Sequence, residues 1–297
     1  MVFLERLGGW IWNPWLLGGF LLLGLYYSLR SGFFQVFECR LWLRATLGSL
    51  LRKRGRGNGK GLTQFQALST ALASTIGTGS IAGVATAIFY GGPGAVFWMW
   101  ISALLGMMTG CAEKILAVRY RRRTADGGWQ GGPMEYMEQG LGLRPLALCF
   151  SLFCVAASIG GGDMVQANSI ATALEHAFGW DRLAVGCVTA VLTGLVILGG
   201  IGRIGRVSEK LVPFMALFYV VLGIGVVLLN LERLPGVLQS IFEGAFNPAA
   251  FTGGIIGSLF VSMQKGVSRG IFSNEAGLGT GSIAHACADT QKPVTQG

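Results

Sequence analysis

The sequence predicts an all-α, polytopic membrane protein on three observations. Hydrophobic residues make up 52% of the 297 and charged residues only 12%, with 48 glycines and a mean hydropathy of +0.57, which is far less charge than an ordinary soluble domain carries. The apolar residues gather into runs long enough to cross a bilayer as helices. The 23 lysines and arginines, against 14 acids, crowd into short loops between those runs, where they set orientation on the membrane rather than bind nucleic acid.

The first run covers about residues 10–29, with Pro14 and Trp10, Trp12 and Trp15 at an interfacial entrance. Glu5 and Arg6 make a poor signal n-region and no small-residue cleavage site follows, so a retained helix is expected. Residues 30–63 carry Arg30, Arg40, Arg44, Arg52, Lys53, Arg54, Arg56 and Lys60 with almost no acid. That excess puts the loop in the cytoplasm and the N-terminus outside. Phe34, Phe37, Leu41, Leu47 and Leu51 recur near helical spacing, as in a short helix lying on the membrane surface. Gly55 to Gly61 lacks Walker spacing and a preceding strand, and reads as a flexible connector.

The second span, about 64–90, holds Leu72-Ala-Ser-Thr-Ile-Gly-Thr-Gly-Ser-Ile-Ala-Gly-Val84. Its glycines weaken a helix, and its hydroxyls put oxygens at membrane depth. Irregular backbone survives there only where it is buried or lines a polar cavity, which makes half of a binding site; the alternative is a small-residue helix for close packing. After the turn Gly91-Gly-Pro-Gly94 comes the third span, about 95–118, then Arg119, Arg121, Arg122 and Arg123 on the cytoplasmic side. Glu113 and Lys114 near its inner end can snorkel or pair.

A glycine-rich loop, Thr124 to Gly142, leads to the fourth span, about 145–174, interrupted by Ile159-Gly-Gly-Gly-Asp-Met-Val-Gln-Ala-Asn168. Asp163, Gln166 and Asn168 cannot all face lipid without cost, so at least one should face the protein interior. For Asp163, a buried hydrogen-bonded carboxyl that fixes packing is the competing role. The fifth span, about 183–201, is followed by Arg203, Arg206 and Lys210 on the inside, and the sixth, about 211–231, by an outer loop with Glu232, Arg233 and Glu243.

The last span, about 251–288, is broken by glycines at 270, 277, 279 and 281. Two glycine-interrupted segments in one membrane protein suit a transporter, whose half-helix N-termini meet a carboxylate and whose freed carbonyls meet a cation. Lys265, Arg269 and Glu275 are placed to pair, and His285 reads as a satisfied or interfacial histidine. The six cysteines lack metal spacing and read as small hydrophobes, with neither metal nor disulfide.

Four motifs then converge. Ala67 to Ile88, Gly91-Gly-Pro-Gly-Ala-Val-Phe-Trp-Met-Trp100, Gly131-Gly-Pro-Met134 and Gly270-Ile-Phe-Ser-Asn-Glu-Ala-Gly-Leu-Gly279 resemble the alanine or glycine:cation symporter family, over about residues 61–297. The resemblance implies an inverted-repeat amino-acid transporter fold with broken core helices 1 and 6, here the second and last spans. It implies sodium-coupled symport of alanine or glycine by alternating access, in a multi-pass protein of the plasma (inner) membrane. No enzyme activity, cofactor or nucleic-acid partner is implied; Na⁺ is the coupling ion.

By the same resemblance, Thr75 to Ser80 and Phe272 to Gly277 are the unwound segments flanking the amino acid. Thr75, Gly77, Thr78, Gly79, Ser80, Gln166, Phe272, Ser273, Asn274 and Gly277 are then substrate-binding, with Thr78 near the carboxylate and Gln166 facing the amine. The carbonyls of Ala73 and Ile76 belong to a sodium site. Ser80 and Asp163 stand where the family more often has Asn. The chain ends at Gly297, before the family's core helices 7 to 10, so a fold truncated after core helix 6, a fragment that does not transport alone, is expected. The rival functions are a non-transporting amino-acid sensor and a cation channel. A nucleotide enzyme fails, because Gly77-Thr-Gly-Ser-Ile-Ala82 lacks the strand before it and the acid after it that a dinucleotide fingerprint needs.

Overall fold

The computed structural model of the protein describes residues 2–51, 61–125, 127–246 and 259–297. The described residues are mostly helical. In order they form α1 (Val2–Ile11), α2 (Pro14–Arg30), α3 (Phe34–Phe37), α4 (Cys39–Leu51), α5 (Gln64–Thr75), α6 (Thr78–Gly91) and α7 (Gly94–Arg119). A two-stranded hairpin, β1 (Arg122–Arg123) with β2 (Trp129–Gln130), precedes α8 (Pro133–Gln139) and α9 (Arg144–Ala157). A π-helical stretch, Ser158–Met164, joins α9 to α10 (Val165–Phe178). Then come α11 (Arg182–Ile197), α12 (Gly200–Leu229), α13 (Leu234–Phe246), α14 (Leu259–Asn274), α15 (Thr280–Ala286) and α16 (Pro293–Gln296).

Side chains at the helix starts explain several of these boundaries. Asn13 accepts from the Leu16 amide with Pro14 in the first turn of α2, and Asp181 accepts from the Ala184 amide at α11; each satisfies a donor the helix leaves orphaned. At α5, Thr63 and Gln66 form a reciprocal capping box.

Four helical stretches are long and apolar enough to cross a membrane: Gln64–Gly91, Gly94–Arg119, Arg144–Phe178 and Gly200–Leu229. Their outward faces carry exposed side chains such as Phe153, Phe214 and Leu217, as does the shorter apolar α11 with Leu192, a distribution that suits a lipid solvent rather than water.

The helix boundaries depart from the sequence reading in several places, among them the expected outer loop with Glu243, which lies in α13. Arg203, Arg206 and Lys210, expected in a loop, lie in the first turns of α12, which runs unbroken from Gly200 through Pro213. Charge marks the side of the membrane without breaking a helix, and Arg203 instead donates to the Leu195 carbonyl at 2.8 Å. The loop from Thr124 to Gly142 contains a hairpin strand and α8. The glycine connector from Gly55 and the start of the last span, residues 251–258, fall outside the described residues.

The chain divides into two compact units. One takes in Met1–Ala45, Ser80–Ala112 and Phe218–Leu278. Its apolar centre is Leu17, Val267 and Ile271, with Trp12, Phe20, Trp98 and Met263 against them, and α2 and α13 both pack on α14. The other unit takes in Thr46–Gly79, Glu113–Leu217 and Gly279–Gly297. There α8 packs on α9, α10 on α11, and α5 on α15. A parallel bridge ties the chain before α5 to the chain after α15: the Leu62 amide donates to Cys287 at 2.9 Å, and the Asp289 amide donates to Leu62 at 2.7 Å.

Candidate functional site

The helical stretch from Gln64 to Gly91 is interrupted once, at Ile76 and Gly77. The Ile76 amide still reaches the Leu72 carbonyl at 2.8 Å, but Ile76 itself turns to φ −93°, ψ 80°, and α6 restarts at Thr78. The last turn of α5 therefore ends in carbonyls without helical partners, and the first turn of α6 in amides without them. Ala73 lies in the first group and Thr78 in the second.

Gln166 meets this interruption from α10. Its Oε1 accepts from the Thr78 amide at 3.1 Å and from the Thr78 hydroxyl at 2.5 Å. The approach depends on Gly77: a Cβ there would stand 2.5 Å from Gln166 Nε2 and 3.2 Å from its Cδ. Gln166 sits in the first turn after the π-helical stretch. Of the three polar residues expected to compete for the interior, Gln166 is partly buried and bonded, while Asp163 and Asn168 are exposed. With both Oε1 positions taken by Thr78, the group of Gln166 left to meet a ligand is its NH₂, a donor.

The other unit holds most of the remaining expected residues. Ser80 Oγ and Ser273 Oγ stand 2.9 Å apart. Helix α14 continues through Phe272, Ser273 and Asn274, and the chain leaves helical geometry only at Glu275 (φ 54°), Gly277 (φ 91°) and Gly279 (φ 78°). The interruption thus begins at Glu275, within the expected Phe272 to Gly277 but after its first three residues, because 272–274 tolerate helix and the positive-φ positions begin at 275. Asn274 lines a small cavity with Ser102, Thr109 and Ile271. Phe272 is 38% exposed.

Several side chains that organise the chain around α15 were not singled out in the sequence. Arg121 donates through Nη1 to the carbonyls of Ala286 at 3.0 Å and Ala288 at 2.5 Å, and through Nη2 to that of Thr290. Its guanidinium stacks 3.8 Å from the Trp129 ring centre. Burial pushes the Arg121 pKa down, opposed chiefly by Asp289. Glu135, 2% exposed, accepts from Arg122 Nε at 2.5 Å and Gln139 Nε2 at 2.7 Å, and the hydrogen bond to Glu135 raises the Arg122 pKa. The Gly131-Gly-Pro-Met134 motif, which opens α8 one residue before Glu135, was the available signal.

His285 is 3% exposed, with Nδ1 2.7 Å from Gln296 Nε2, the satisfied histidine the sequence suggested. The six cysteines are free. Among the described residues, no group of three or more His, Cys, Asp or Glu is arranged to hold a metal ion. Lys265 and Arg269 stand over the rings of Tyr90 and Phe272, at 5.7 and 6.0 Å.

Comparison with known proteins identifies the family of the chain. The family model for the sodium:alanine symporter family matches residues 1–297. An uncharacterized transporter of Haemophilus influenzae is 47% identical over 296 residues, covering 99% of this chain and 64% of that protein. The sodium/alanine symporter AgcS of Methanococcus maripaludis is 43% identical, covering 98% of this chain and 64% of that protein. The probable sodium/glutamine symporter GlnT of Bacillus subtilis is 38% identical, covering 97% and 58%. The chain thus spans somewhat less than two thirds of the length of these relatives. Matched over its whole length and built on long apolar helices, the chain is a multi-pass membrane protein and belongs to the sodium:alanine symporter family.

Proposed function

We propose that the protein is part or all of a secondary active transporter that couples Na⁺ to the movement of alanine or a similar small neutral amino acid. The observation that carries this reading is the interruption at Ile76–Gly77, where an orphan amide and hydroxyl of Thr78 meet the amide of Gln166. Such a junction offers donors to a carboxylate in a segment that lipid would otherwise force into continuous helix. The relatives named for sodium and alanine or glutamine support the substrate class.

In this reading α5 with α6, and α14 with α15, are the broken core helices 1 and 6 of an inverted-repeat transporter, with the N-terminus outside. Thr75, Gly77, Thr78, Gly79, Ser80, Phe272, Ser273, Asn274 and Gly277 contact the amino acid. Carbonyl oxygens in the last turn of α5, that of Ala73 first, are hard neutral donors and fit Na⁺ in kind, as does the Ile76 carbonyl beside them. Gln166 accepts from Thr78 as the chain stands, so for Oε1 to meet the substrate amine the Thr78 bonds have to be exchanged for it. Substrate carboxylate on the freed Thr78 donors and ammonium on the freed Oε1 is a balanced exchange. Na⁺ drives transport only through unequal affinity for the outward- and inward-facing states.

The test is uptake of labelled alanine by the full-length protein in vesicles under an imposed Na⁺ gradient, with glycine and glutamine as competitors. Saturable uptake that collapses with the gradient is expected. Binding without flux, or current uncoupled from substrate, would overturn the reading in favour of a sensor or a channel.

A further inference from the structure

Two cations on α14 take no part in the contacts described above as the substrate site. Lys265, Arg269 and Ser273 are spaced four residues apart and therefore share one face of the helix. That face lies along α6. Ser273 Oγ is 2.9 Å from Ser80 Oγ; a Cβ on Gly83 would stand 3.8 Å from Arg269 Cδ and 3.9 Å from its Nη1; one on Gly91 would stand 3.4 Å from Lys265 Cγ. As the α6 position advances, the α14 position retreats, so the helices run antiparallel and the cations lie along their contact from Tyr90 towards the serine pair. Lys265 is exposed and Arg269 partly buried. Among the described residues neither forms an ion pair; their neighbours are the rings of Tyr90 and Phe272.

An ionised side chain taken out of water is costly unless it faces a partner or a polar path, and Arg269 is partly buried. Among the described residues no acid pairs with either cation, and the planar guanidinium fork fits a carboxylate. Gly83 leaves the α6 side of that fork without a side chain. Resting on the transport reading above, we propose that Arg269, with Lys265 one turn before it, is a carboxylate station: it receives the α-carboxylate of the incoming amino acid beside the Ser80–Ser273 pair. The same two charges repel the substrate ammonium and Na⁺. The amino acid is thereby oriented with its carboxylate to Arg269, and Na⁺ enters by another route.

This separation of substrate from sodium supplies the test. Arg269→Gln and Arg269→Lys are compared with the unaltered full-length protein in phosphatidylcholine vesicles, where no anionic headgroup competes, and repeated with added anionic lipid. Arg269→Gln is expected to raise the KM for alanine about tenfold, the low end for a hydrogen bond to an ionised group, without raising the half-saturating Na⁺ concentration. Arg269→Lys, which keeps the charge but not the fork, should recover part of the loss. Alaninamide, which lacks the carboxylate, should inhibit equally with and without the substitution. Lys265→Gln, at an exposed position, should raise KM about twofold and keeps the test open if Arg269→Gln does not fold.

An unchanged KM in both glutamine variants overturns the inference. So does an equal loss of maximal rate in Arg269→Lys and Arg269→Gln without a KM change, the mark of a structural role. An effect of Arg269→Gln confined to vesicles with anionic lipid assigns the site to a headgroup and also overturns it. Absence of sodium-driven uptake by the unaltered protein is a separate result that overturns the transport reading itself.

Discussion

The Thr78 hydroxyl donates to Gln166 Oε1 at 2.5 Å across 88 positions of sequence, and the Thr78 amide donates to the same oxygen. One side-chain carbonyl thus satisfies both donors at the start of α6, and Gly77 provides the space for it to do so.

That dependence predicts a non-additive pair. Gly77→Ala would set a Cβ 2.5 Å from Gln166 Nε2 and push the amide off Thr78, so it should raise the KM for alanine about tenfold, as should Gln166→Ala. Because both act on one contact, the double variant should resemble either single one. Additive losses would instead mean that the Gly77 substitution acts by restoring helix across the interruption, and the Gln166 contact would lose its role.

How much of this was legible in sequence follows from what sequence can encode. Glycines and hydroxyls inside an apolar run are visible and mark the run. Of the expected unwound Thr75 to Ser80, however, only Ile76 and Gly77 leave the helix, because Thr78, Gly79 and Ser80 tolerate the first turn of α6. The residue on the other side of the contact, Gln166, was also exposed to inference, because a polar group in an apolar span needs a partner. The Arg121 contacts were not, since their acceptors are backbone carbonyls, which every residue type carries. The continuity of α12 past Arg203 and Arg206 was hidden for a different reason: charge reports the side of the membrane, and an arginine is as good a helix former as most residues. The second interruption was set too early because backbone sign at Glu275, Gly277 and Gly279, rather than glycine count, decides where α14 stops.

Gly277 makes that point testable. Its φ of 91° suits glycine, and a Cβ there would also fall on the Phe20 ring. Gly277→Ala should therefore cost roughly 2 kcal/mol or more, seen as a lowered Tm in detergent. Adding Phe20→Leu should restore the steric share only. Full recovery in the double variant would show that backbone conformation contributes nothing at this position.

The start of α5 offers a milder case. Thr63 Oγ1 accepts from the Gln66 amide at 3.1 Å, and Gln66 Oε1 accepts from the Thr63 amide at 3.1 Å. Thr63→Ala should lower stability by about 1 kcal/mol and Thr63→Ser by much less. The sign is checked by thermal unfolding of the two variants side by side; equal Tm values for Ala, Ser and the unaltered protein would remove the capping box from the account.

Arg121 supplies the last prediction. Its guanidinium holds the carbonyls of Ala286, Ala288 and Thr290 and stacks on Trp129, next to the bridge between Leu62 and Ala288. Removing it leaves the end of α15 and the following residues to be held mainly by that backbone bridge. Arg121→Ala should therefore speed hydrogen exchange at the amides of Leu62 and Asp289, the two donors of the bridge, by about tenfold, equivalent to about 1.4 kcal/mol. Arg121→Lys should recover little, because an ammonium cannot reach carbonyls on two planar arms while lying flat on an indole. Since α5 packs on α15, looseness here loosens the helix whose last turn carries Ala73, so half-saturation by Na⁺ should rise in the alanine variant. Unchanged exchange at Leu62 and Asp289 would mean the backbone bridge holds without the guanidinium, and the rise in Na⁺ half-saturation should then be absent as well.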